Sequence, residues 1–338
     1  MTTTIHLTGY TRDEAGAGQG LARAAYPCDG SGAPQSMAGG DQPSFAVLST
    51  DRSWVYVTGE REPGVVRAVP ADGAGVVSEV DSGGSHPCHL ALGPSGRDLL
   101  VSNYGSGSVG LVRADAGALD LVDALRLSGS GPHERQEGPH AHQATFLSDS
   151  ELVVCDLGSD RLVGVRIEGG RLEGGRLEQS WEVRMPAGSG PRHLVVSPDG
   201  STLWVVGELD CSLHPVRRSG AGWSVGEPID VRGPGPWPAG EHTAAGVVVD
   251  RTGRHLYVST RGADLLSHVQ VSDDGTPVWR HCVRTAHWPR FVGWLPDGSL
   301  GVTAERAGLV QVVRIGSDGE PERPDPALSW PSPTCLAW

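Results

Sequence analysis

The chain has 338 residues, 38% of them hydrophobic, and a formal net charge of −13. This acidity argues against a nucleic-acid-binding face, and no run of about 20 apolar residues is present to span a membrane. The sequence contains no lysine, which excludes Schiff-base and lysine-nucleophile chemistry. Residues 1–14 lack the basic and apolar regions of a signal peptide, so we expect a cytoplasmic protein.

The chain opens with two strand patterns, residues 5–10 and 20–26, and then becomes repetitive. A short anchor, usually containing proline or histidine, recurs at steps of about 44 to 53 residues, the length of a four-stranded propeller blade. The anchors begin at Pro43, Pro87, His140, Pro191, Thr243, Pro289 and Pro333. Six cysteines stand singly, without a Cys-x-x-Cys pair, which favours buried strand positions over a zinc or dithiol site.

Residues 188–210 show the unit that repeats. An apolar strand follows the anchor, a turn follows at Ser197-Pro198-Asp199-Gly200, and a second apolar strand ends near Glu208. Pro-Asp-Gly between apolar segments is typical of a β-hairpin. In most repeats a third strand comes after a glycine-containing link, and a less regular fourth strand completes the blade.

The two ends of the chain are complementary. Residues 333–338 have room for only one strand, whereas residues 5–10 and 20–26 read as the second and third strands of a blade. We therefore predict an all-β, seven-bladed β-propeller with four-stranded antiparallel blades, as a single domain over residues 1–338. The C-terminal strand pairs with the N-terminal strands and closes the ring. A pair of β-sandwiches or a solenoid is the alternative, but it explains the period, the count and the ends less well.

Hairpin geometry brings the start of each first strand and the end of each second strand to one mouth of the ring. The expected pairs are Ser44 with Glu60, His89 with Tyr104, His142 with Asp156, Arg192 with Glu208, His242 with Arg261, and Arg290 with Glu305, with Tyr10 and Thr334 for the closing blade. Any one of these groups alone reads best as a solvated charge or a structural ion pair. Their convergence makes the mouth the candidate site.

The long polar segment of residues 129–142 is a candidate rim over this mouth, because it carries Arg135 and three histidines. His140 and His142 have the spacing of a metal pair on a strand, but no third ligand is specified. We predict no metal and no other cofactor. Arginines in an acidic chain suit an anionic ligand.

At these residues the sequence resembles the seven-bladed propeller lactonase family of bacterial 6-phosphogluconolactonases and fungal carboxymuconate-lactonizing enzymes, over essentially the whole chain. The motifs that carry the resemblance are Gly129-Ser130-Gly131-Pro132, Glu134-Arg135-Gln136, Pro139-His140-Ala141-His142, Asp156-Leu157-Gly158-Ser159-Asp160-Arg161, Gly188-Ser189-Gly190-Pro191-Arg192-His193-Leu194, Glu208-Leu209-Asp210 and Ser259-Thr260-Arg261-Gly262. The resemblance implies a metal-independent site at the mouth. Its catalytic residues would be His142, Arg192, Glu208 and Arg261.

The remaining mouth and rim positions are predicted to contact substrate: His89, Tyr104, Arg135, His140, His193, His242, Arg290 and Glu305. Three positions depart from the family pattern. Gly246 stands where an acid is common, Thr260 where asparagine is common, and Glu305 where an amide is common. The scaffold and the type of chemistry therefore carry over better than the substrate does.

The leading functional prediction is hydrolysis of a small anionic sugar-type lactone. Arg192 and Arg261 would hold the substrate anion and the developing oxyanion, while His142 or Glu208 activates water. The alternatives are a cycloisomerase or lyase acting on a muconate-like dicarboxylate, a non-catalytic docking platform, and a calcium-dependent lactonase using Glu60, Asp156, Glu208 and Glu305. The expected partner is a small lactone, sugar phosphate or dicarboxylate, and we expect a monomer or a weak homo-oligomer.

Overall fold

The computed structural model describes residues 3–12, 18–27, 33–169, 175–220 and 222–338. The first half of the chain forms β1 (Thr3–Gly9), β2 (Ala22–Tyr26), β3 (Gln35–Ser36), β4 (Ala46–Leu48), β5 (Trp54–Gly59), β6 (Val65–Pro70), β7 (Ser78–Asp81), β8 (Pro87–Leu92), β9 (Asp98–Asn103), β10 (Ser108–Asp115), β11 (Ala118–Arg126), β12 (Ala141–Phe146), β13 (Glu151–Asp156), a 3₁₀ helix (Leu157–Ser159), β14 (Arg161–Glu168) and β15 (Arg176–Arg184).

The second half forms β16 (Pro191–Val196), β17 (Thr202–Gly207), β18 (Ser212–Ser219), β19 (Gly222–Val225), β20 (Ile229–Asp230), β21 (Thr243–Val249), β22 (His255–Arg261), β23 (Leu265–Val271), β24 (Pro277–Arg284), β25 (Pro289–Trp294), β26 (Leu300–Ala304), β27 (Leu309–Val313), β28 (Asp325–Ser329) and β29 (Pro333–Ala337). Among the described residues no helix is long and apolar enough to cross a membrane.

The strands form seven antiparallel sheets arranged as blades. Six blades use consecutive strands, β4 to β7, β8 to β11, β12 to β15, β16 to β19, β21 to β24 and β25 to β28, and β20 adds a short pairing to β18. The seventh has the order β29-β1-β2-β3, with Leu7 opposite Leu336 and His6 opposite Ala337. The predicted seven-bladed propeller, its four-stranded blades and its closure by the C-terminal strand are confirmed.

The core lies between neighbouring blades. The second strands β9 and β17 are buried along their whole length, whereas the outer strand β11 alternates between exposed and half-buried residues. Leu100 and Val109 of one blade, for example, pack in one cluster with Leu152 of the next. Because both faces of an inner strand meet another blade, the sequence shows apolar runs there instead of alternation.

The cysteines mostly follow the prediction. Cys88, Cys155 and Cys335 are buried on strands, and Cys282 is half-buried on β24. Cys211 is buried, but it lies in the turn before β18 with φ of 57°. Cys28 lies outside the described residues.

A β-bulge recurs near the start of the inner strands. In four blades the register shifts around one extra residue, and these bulged residues are Cys88, His142, Arg192 and Arg290. Matching shifts occur in β21 after Ala244 and in the pairing of β1 with β29. A bulge re-aims a side chain that would otherwise follow the pleat. Because the bulge recurs in most blades, it determines which side chains lie at the mouth.

A second recurring feature is a residue in the left-handed conformation at the entry to the first strand, two positions before the bulged residue in the blades that have one. These residues are Gln42, His86, Gly190, Trp288 and Ser332, with φ between 52° and 67°. Their carbonyls accept the N–H groups of Glu60, Tyr104, Glu208, Glu305 and Tyr10, respectively. The hydrogen bond fixes the end of each second strand against the entry to the first strand. We call these five positions the rim ring.

Candidate active site

The mouth contains a cavity of about 920 Å³, a size typical of small-molecule sites. Of the residues predicted at the mouth, those that line it are Tyr10, Glu60, Arg135, Arg261, Arg290 and Glu305. The other predicted residues do not form its wall. Several of them lie directly beneath it, in contact with residues that do.

Glu208 is the centre of this buried layer and is 1% exposed. Its Oε1 lies 2.7 Å from Arg135 Nη2, and its Oε2 lies 2.7 Å from Arg192 Nε and 3.0 Å from Arg261 Nη2. The last two approaches are not aligned for hydrogen bonds, so Oε2 has close cations but no hydrogen-bond partner. The expected proximity of Arg192 and Glu208 is therefore present, and two further arginines share the carboxylate.

Three cations decide the protonation of Glu208. Burial by itself would raise the pKa of the carboxyl, but Arg261, Arg192 and Arg135 lower it to well below its usual range. The carboxylate is therefore ionised at neutral pH and poorly suited to take up a proton. Its geometry suits a counter-ion that holds the three guanidinium groups together.

His142 stands beside this cluster, with Nε2 at 3.9 Å from Glu208 Oε2. Burial, and then the charges of Arg192, Arg290 and Arg261, lower the pKa of His142 well below 6.5. The imidazole is therefore neutral at pH 7 and has a nitrogen that can accept a proton.

Two more imidazoles continue inward from His142. The ring centroids of His142 and His193 lie 5.1 Å apart, and those of His193 and His89 lie 5.5 Å apart. Burial, reinforced by Arg192, lowers the pKa of His89 to about 3 and that of His193 well below 6.5. All three rings are neutral, so they add no positive charge to the arginine cluster.

Arg192 is held from below. Its Nη1 donates to the carbonyl of Ala245 at 2.8 Å and lies 3.2 Å from both ring nitrogens of His193. Burial and the neighbouring Arg261 lower the pKa of Arg192 to about 9. The guanidinium remains charged at neutral pH, and contacts with Ala245, His193 and Glu208 fix its position.

Arg135 reaches Glu208 from the segment between β11 and β12, and its Nη2 also donates to Tyr104 Oη at 3.3 Å. The next residue, Gln136, is fully buried, and its Nε2 donates to Leu157 O at 2.7 Å and Asp160 Oδ1 at 2.8 Å. Asp160 also accepts the N–H groups of the turn that precedes Arg192, from Gly188 and Gly190. One buried Gln–Asp contact thus ties together the two chain segments that carry Arg135 and Arg192.

Replacing Gln136 by leucine should lower the free energy of unfolding by about 1–3 kcal/mol, because the variant leaves a buried carbonyl and part of a buried carboxylate without their donor. Urea unfolding measures the change. Gln179→Leu, on the exposed strand β15, is the matched control and should stay within about 0.5 kcal/mol of the parent protein. Equal stability of the two variants would contradict the role of Gln136.

Arg290 forms a second cluster on the other side of the cavity. Its Nη2 donates to Tyr10 Oη at 2.8 Å, Tyr10 donates to Glu60 Oε2 at 3.0 Å, and Nη1 lies 3.4 Å from Glu305 Oε2. Burial opposes the charge of Arg290, but Tyr10, Glu305 and Glu60 outweigh it and raise its pKa. The expected contact between Arg290 and Glu305 is therefore present.

The expected pairing of His142 with Asp156 is wrong by one residue. Asp156 is buried below the mouth, where it accepts the N–H of His140 and pairs with Arg161 at 3.0 Å. Leu157 takes the position that corresponds to Glu208, because the chain turns into the 3₁₀ helix directly after β13. Arg261 lies opposite Thr243 in the ladder, not opposite His242.

Two further expected pairs differ, the first because of a bulge. His89 lies opposite Ser102, and the bulged Cys88 takes the place that His142 and Arg192 occupy in their blades. Cys88 Sγ lies 3.9 Å from His142 Nδ1. Ser44 is buried against Thr58 Oγ1 at 3.1 Å and does not meet Glu60.

The other predicted contacts are more distant from the cavity. His140 stacks on Tyr104 with ring centroids 4.3 Å apart and contacts its carbonyl, so these two residues support Arg135. His242 is half-buried and absent from the cavity wall, where its neighbours Glu241 and Thr243 stand.

The sequence did not predict the lining residues Arg12, Gln42, His86 and Arg306. Only His86 carried a usable signal, as a large residue directly before an anchor proline.

The three departures from the family pattern differ in position. A Cβ on Gly246 would lie 2.9 Å from the backbone nitrogen of Val292, so this backbone leaves no room for an acid there. Thr260 is fully buried, whereas Glu305 lines the cavity. Only Glu305 therefore changes the surface that a ligand meets.

Among the described ranges, no three His, Cys, Asp or Glu side chains come together as a metal-binding group. The four carboxylates considered as calcium ligands do not form such a group either. Asp156 pairs with Arg161 and Glu208 with three arginines.

The profile of the family "Lactonase, 7-bladed beta-propeller" matches residues 4–338. The chain belongs to this family. It is 30% identical over 261 residues to the 6-phosphogluconolactonase of Bacillus subtilis strain 168, covering 75% of this chain and 73% of that protein.

Solved structures agree on the fold of this lactonase-family chain. A protein from Lactobacillus plantarum superposes with a TM-score of 0.89 at 25% identity, covering 99% of both chains. The periplasmic gluconolactonase of Pseudomonas aeruginosa superposes with a TM-score of 0.87 at 23% identity, covering 99% of this chain and 98% of that one. At such identities the likeness concerns the fold.

Proposed function

We propose that this propeller hydrolyses a small anionic sugar-type lactone at the mouth. Membership of the lactonase family and the relative named 6-phosphogluconolactonase support the reaction class. The observation that carries the proposal is the arrangement of Arg135, Arg192 and Arg261 around the buried, ionised Glu208, with the neutral imidazole of His142 alongside. This arrangement offers positive charge for an oxyanion and a base that is unprotonated at neutral pH.

The arginines would bind the reacting ester. Arg135 and Arg261 line the cavity, so their N–H groups are available to the lactone carbonyl oxygen and to the negative charge that develops on it. Arg192 lies beneath them and adds charge without forming the wall. Glu208 neutralises one of the three charges and fixes the other groups, so the cluster is pre-organised before substrate arrives.

His142 would be the general base. It takes a proton from water as the water oxygen bonds to the carbonyl carbon, and it returns that proton to the ring oxygen when the ester C–O bond breaks. Glu208 is the poorer base, because Arg135, Arg192 and Arg261 surround both of its carboxylate oxygens. His142 and Glu208, which the sequence left as alternatives, thus receive separate roles.

The remaining site residues have supporting parts in this proposal. Arg290 and Glu305 contact substrate from the far wall of the cavity. Tyr104 and His140 hold Arg135, while His89 and His193 keep the interior beneath Arg192 neutral. The single domain over residues 1–338, the cytoplasmic location and the monomeric or weakly associating state stay predictions, as does a substrate contact by His242.

Proton release in a pH-stat tests the reaction. The protein should accelerate opening of glucono-1,5-lactone or its 6-phosphate above the spontaneous rate, and prior treatment with EDTA should leave that rate unchanged. Incubation of cis,cis-muconate with the protein in D₂O tests the cycloisomerase alternative, because only that reaction places deuterium on carbon. Deuterated lactone product without any lactone hydrolysis would overturn the proposal.

A further inference from the structure

Arg306 lies on the rim of the mouth cavity, in the turn that joins β26 to β27. Its guanidinium carbon is 3.5 Å from the centroid of the Trp288 ring. With the other residues described by the structure it makes no hydrogen bond and no ion pair. Within that part of the chain the side chain is held by stacking alone, and its N–H groups have no acceptor.

Trp288 is a fixed support for this cation. It belongs to the rim ring, with φ of 67°, and its backbone N–H donates to Asp264 Oδ1 at 2.9 Å. A bulky residue in the left-handed region costs of the order of 1–3 kcal/mol, and such strain is concentrated at functional sites. The guanidinium carbon of Arg261 lies 5.7 Å from the same ring centroid. One indole therefore links the catalytic cluster to the rim.

Charge pairing separates Arg306 from the other arginines of the cavity wall. Arg135 and Arg261 contact Glu208, Arg290 contacts Glu305, and Arg12 contacts Asp41 at 2.9 Å. Of the cavity-lining arginines in the described ranges, only Arg306 has no carboxylate within 4 Å. A ligand anion that reaches Arg306 displaces no partner among the described residues, whereas an anion at any of the other four arginines competes with a carboxylate.

We propose that Arg306, stacked on Trp288, binds the anionic group that the substrate carries on the carbon farthest from its lactone carbonyl. The proposal rests on the lactonase function above and assigns its specificity. A stacked guanidinium keeps its N–H groups in the plane of the fork, where they can bind a phosphate or a carboxylate with two hydrogen bonds. Recognition of the anion is thus separated from Arg135 and Arg261, which face the reacting ester.

Steady-state kinetics with three substrates tests this subsite. Glucono-1,5-lactone has no distal anion, its 6-phosphate has a phosphate there, and glucaro-1,4-lactone has a carboxylate. Arg306→Ala should raise KM for the phosphorylated substrate about tenfold or more with little change in kcat, and leave KM for the neutral lactone within about twofold. The glucaro-lactone arm shows whether a carboxylate is recognised in the same way.

Two further variants separate charge from stacking. Arg306→Lys keeps the charge but loses the planar fork, so it should recover only part of the affinity. Trp288→Gly keeps the left-handed backbone without strain and should raise KM for the phosphorylated substrate as Arg306→Ala does. Arg314→Ala removes an exposed arginine, paired with Asp325, from the same blade but outside the cavity wall, and should behave as the parent protein.

Calorimetric binding of the products keeps this inference separate from the proposed reaction. In Arg306→Ala the Kd of 6-phosphogluconate should rise about tenfold, while that of gluconate stays unchanged. Absence of lactone hydrolysis with this binding pattern intact would reject the reaction but keep the subsite. An equal effect of Arg306→Ala on the phosphorylated and neutral ligands, or an effect on neither, would overturn the subsite.

Discussion

Replacing Glu208 by glutamine should lower the free energy of unfolding by about 3–5 kcal/mol, because the variant leaves three guanidinium groups clustered without their shared counter-charge. Arg192 has side-chain exposure of only 3% and Arg261 of 8%, so water cannot screen their repulsion. Urea unfolding at neutral pH measures the change. Activity should fall with it, since Arg135 and Arg261 lose the group that positions them.

The pH dependence of this effect has a defined sign. The pKa of Glu208 is lower in the folded protein than its ordinary value of 4.5. Its stabilisation is therefore complete above about pH 4.5 and is lost as the pH falls toward the folded pKa. The difference in free energy of unfolding between the parent protein and Glu208→Gln should become smaller as the pH falls. Glu178→Gln, on an exposed stretch of β15, serves as the control, and an equally small effect of both variants would contradict the central role of Glu208.

Replacing His142 by asparagine should reduce kcat/KM for lactone hydrolysis by about 10²- to 10⁴-fold, the usual contribution of a general base. The decrease should appear in kcat and not in KM, because the arginines that bind the ester remain. The measurement is initial-rate kinetics in the pH-stat, with a thermal melt to show that the fold is intact. His281→Asn, on the outer strand β24, should retain parental kinetics.

The pH profile gives an independent readout of the same residue. Burial and three neighbouring arginines lower the pKa of His142 well below 6.5. The base therefore stays deprotonated through neutral pH, and the acid limb of kcat/KM should lie below the usual histidine range. Arg290→Gln removes one of these charges and should move the limb to higher pH. A parental limb near 6.5, or parental activity of His142→Asn, would rule out His142 as the base.

The architecture was largely accessible from the sequence. Apolar segments at a blade-length period specify the hairpins, and the deficits at the two ends of the chain predict the closure that β29 and β1 make. Hairpin geometry also predicted that Arg192 meets Glu208 and that Arg290 meets Glu305. These predictions succeed because they depend only on antiparallel pairing.

The details of the mouth were not accessible in this way. A one-residue bulge at the start of β8 shifts the register, so Cys88 takes the place expected for His89. The 3₁₀ helix directly after β13 puts Leu157 in the place expected for Asp156. The contact of Arg135 with Glu208 joins a segment between blades to the end of a strand. None of these features has a periodic signal, because they depend on local backbone geometry and on contacts between distant parts of the chain.

A crystal structure with bound 6-phosphogluconate tests the central claim most directly. The ligand should lie in the 920 Å³ mouth cavity, with its carboxylate against Arg135 and Arg261 and its phosphate against Arg306. Ligand density at the apolar cavity lined by Phe45, Phe291 and Trp338, or the carboxylate bound away from Arg135 and Arg261, would contradict that claim.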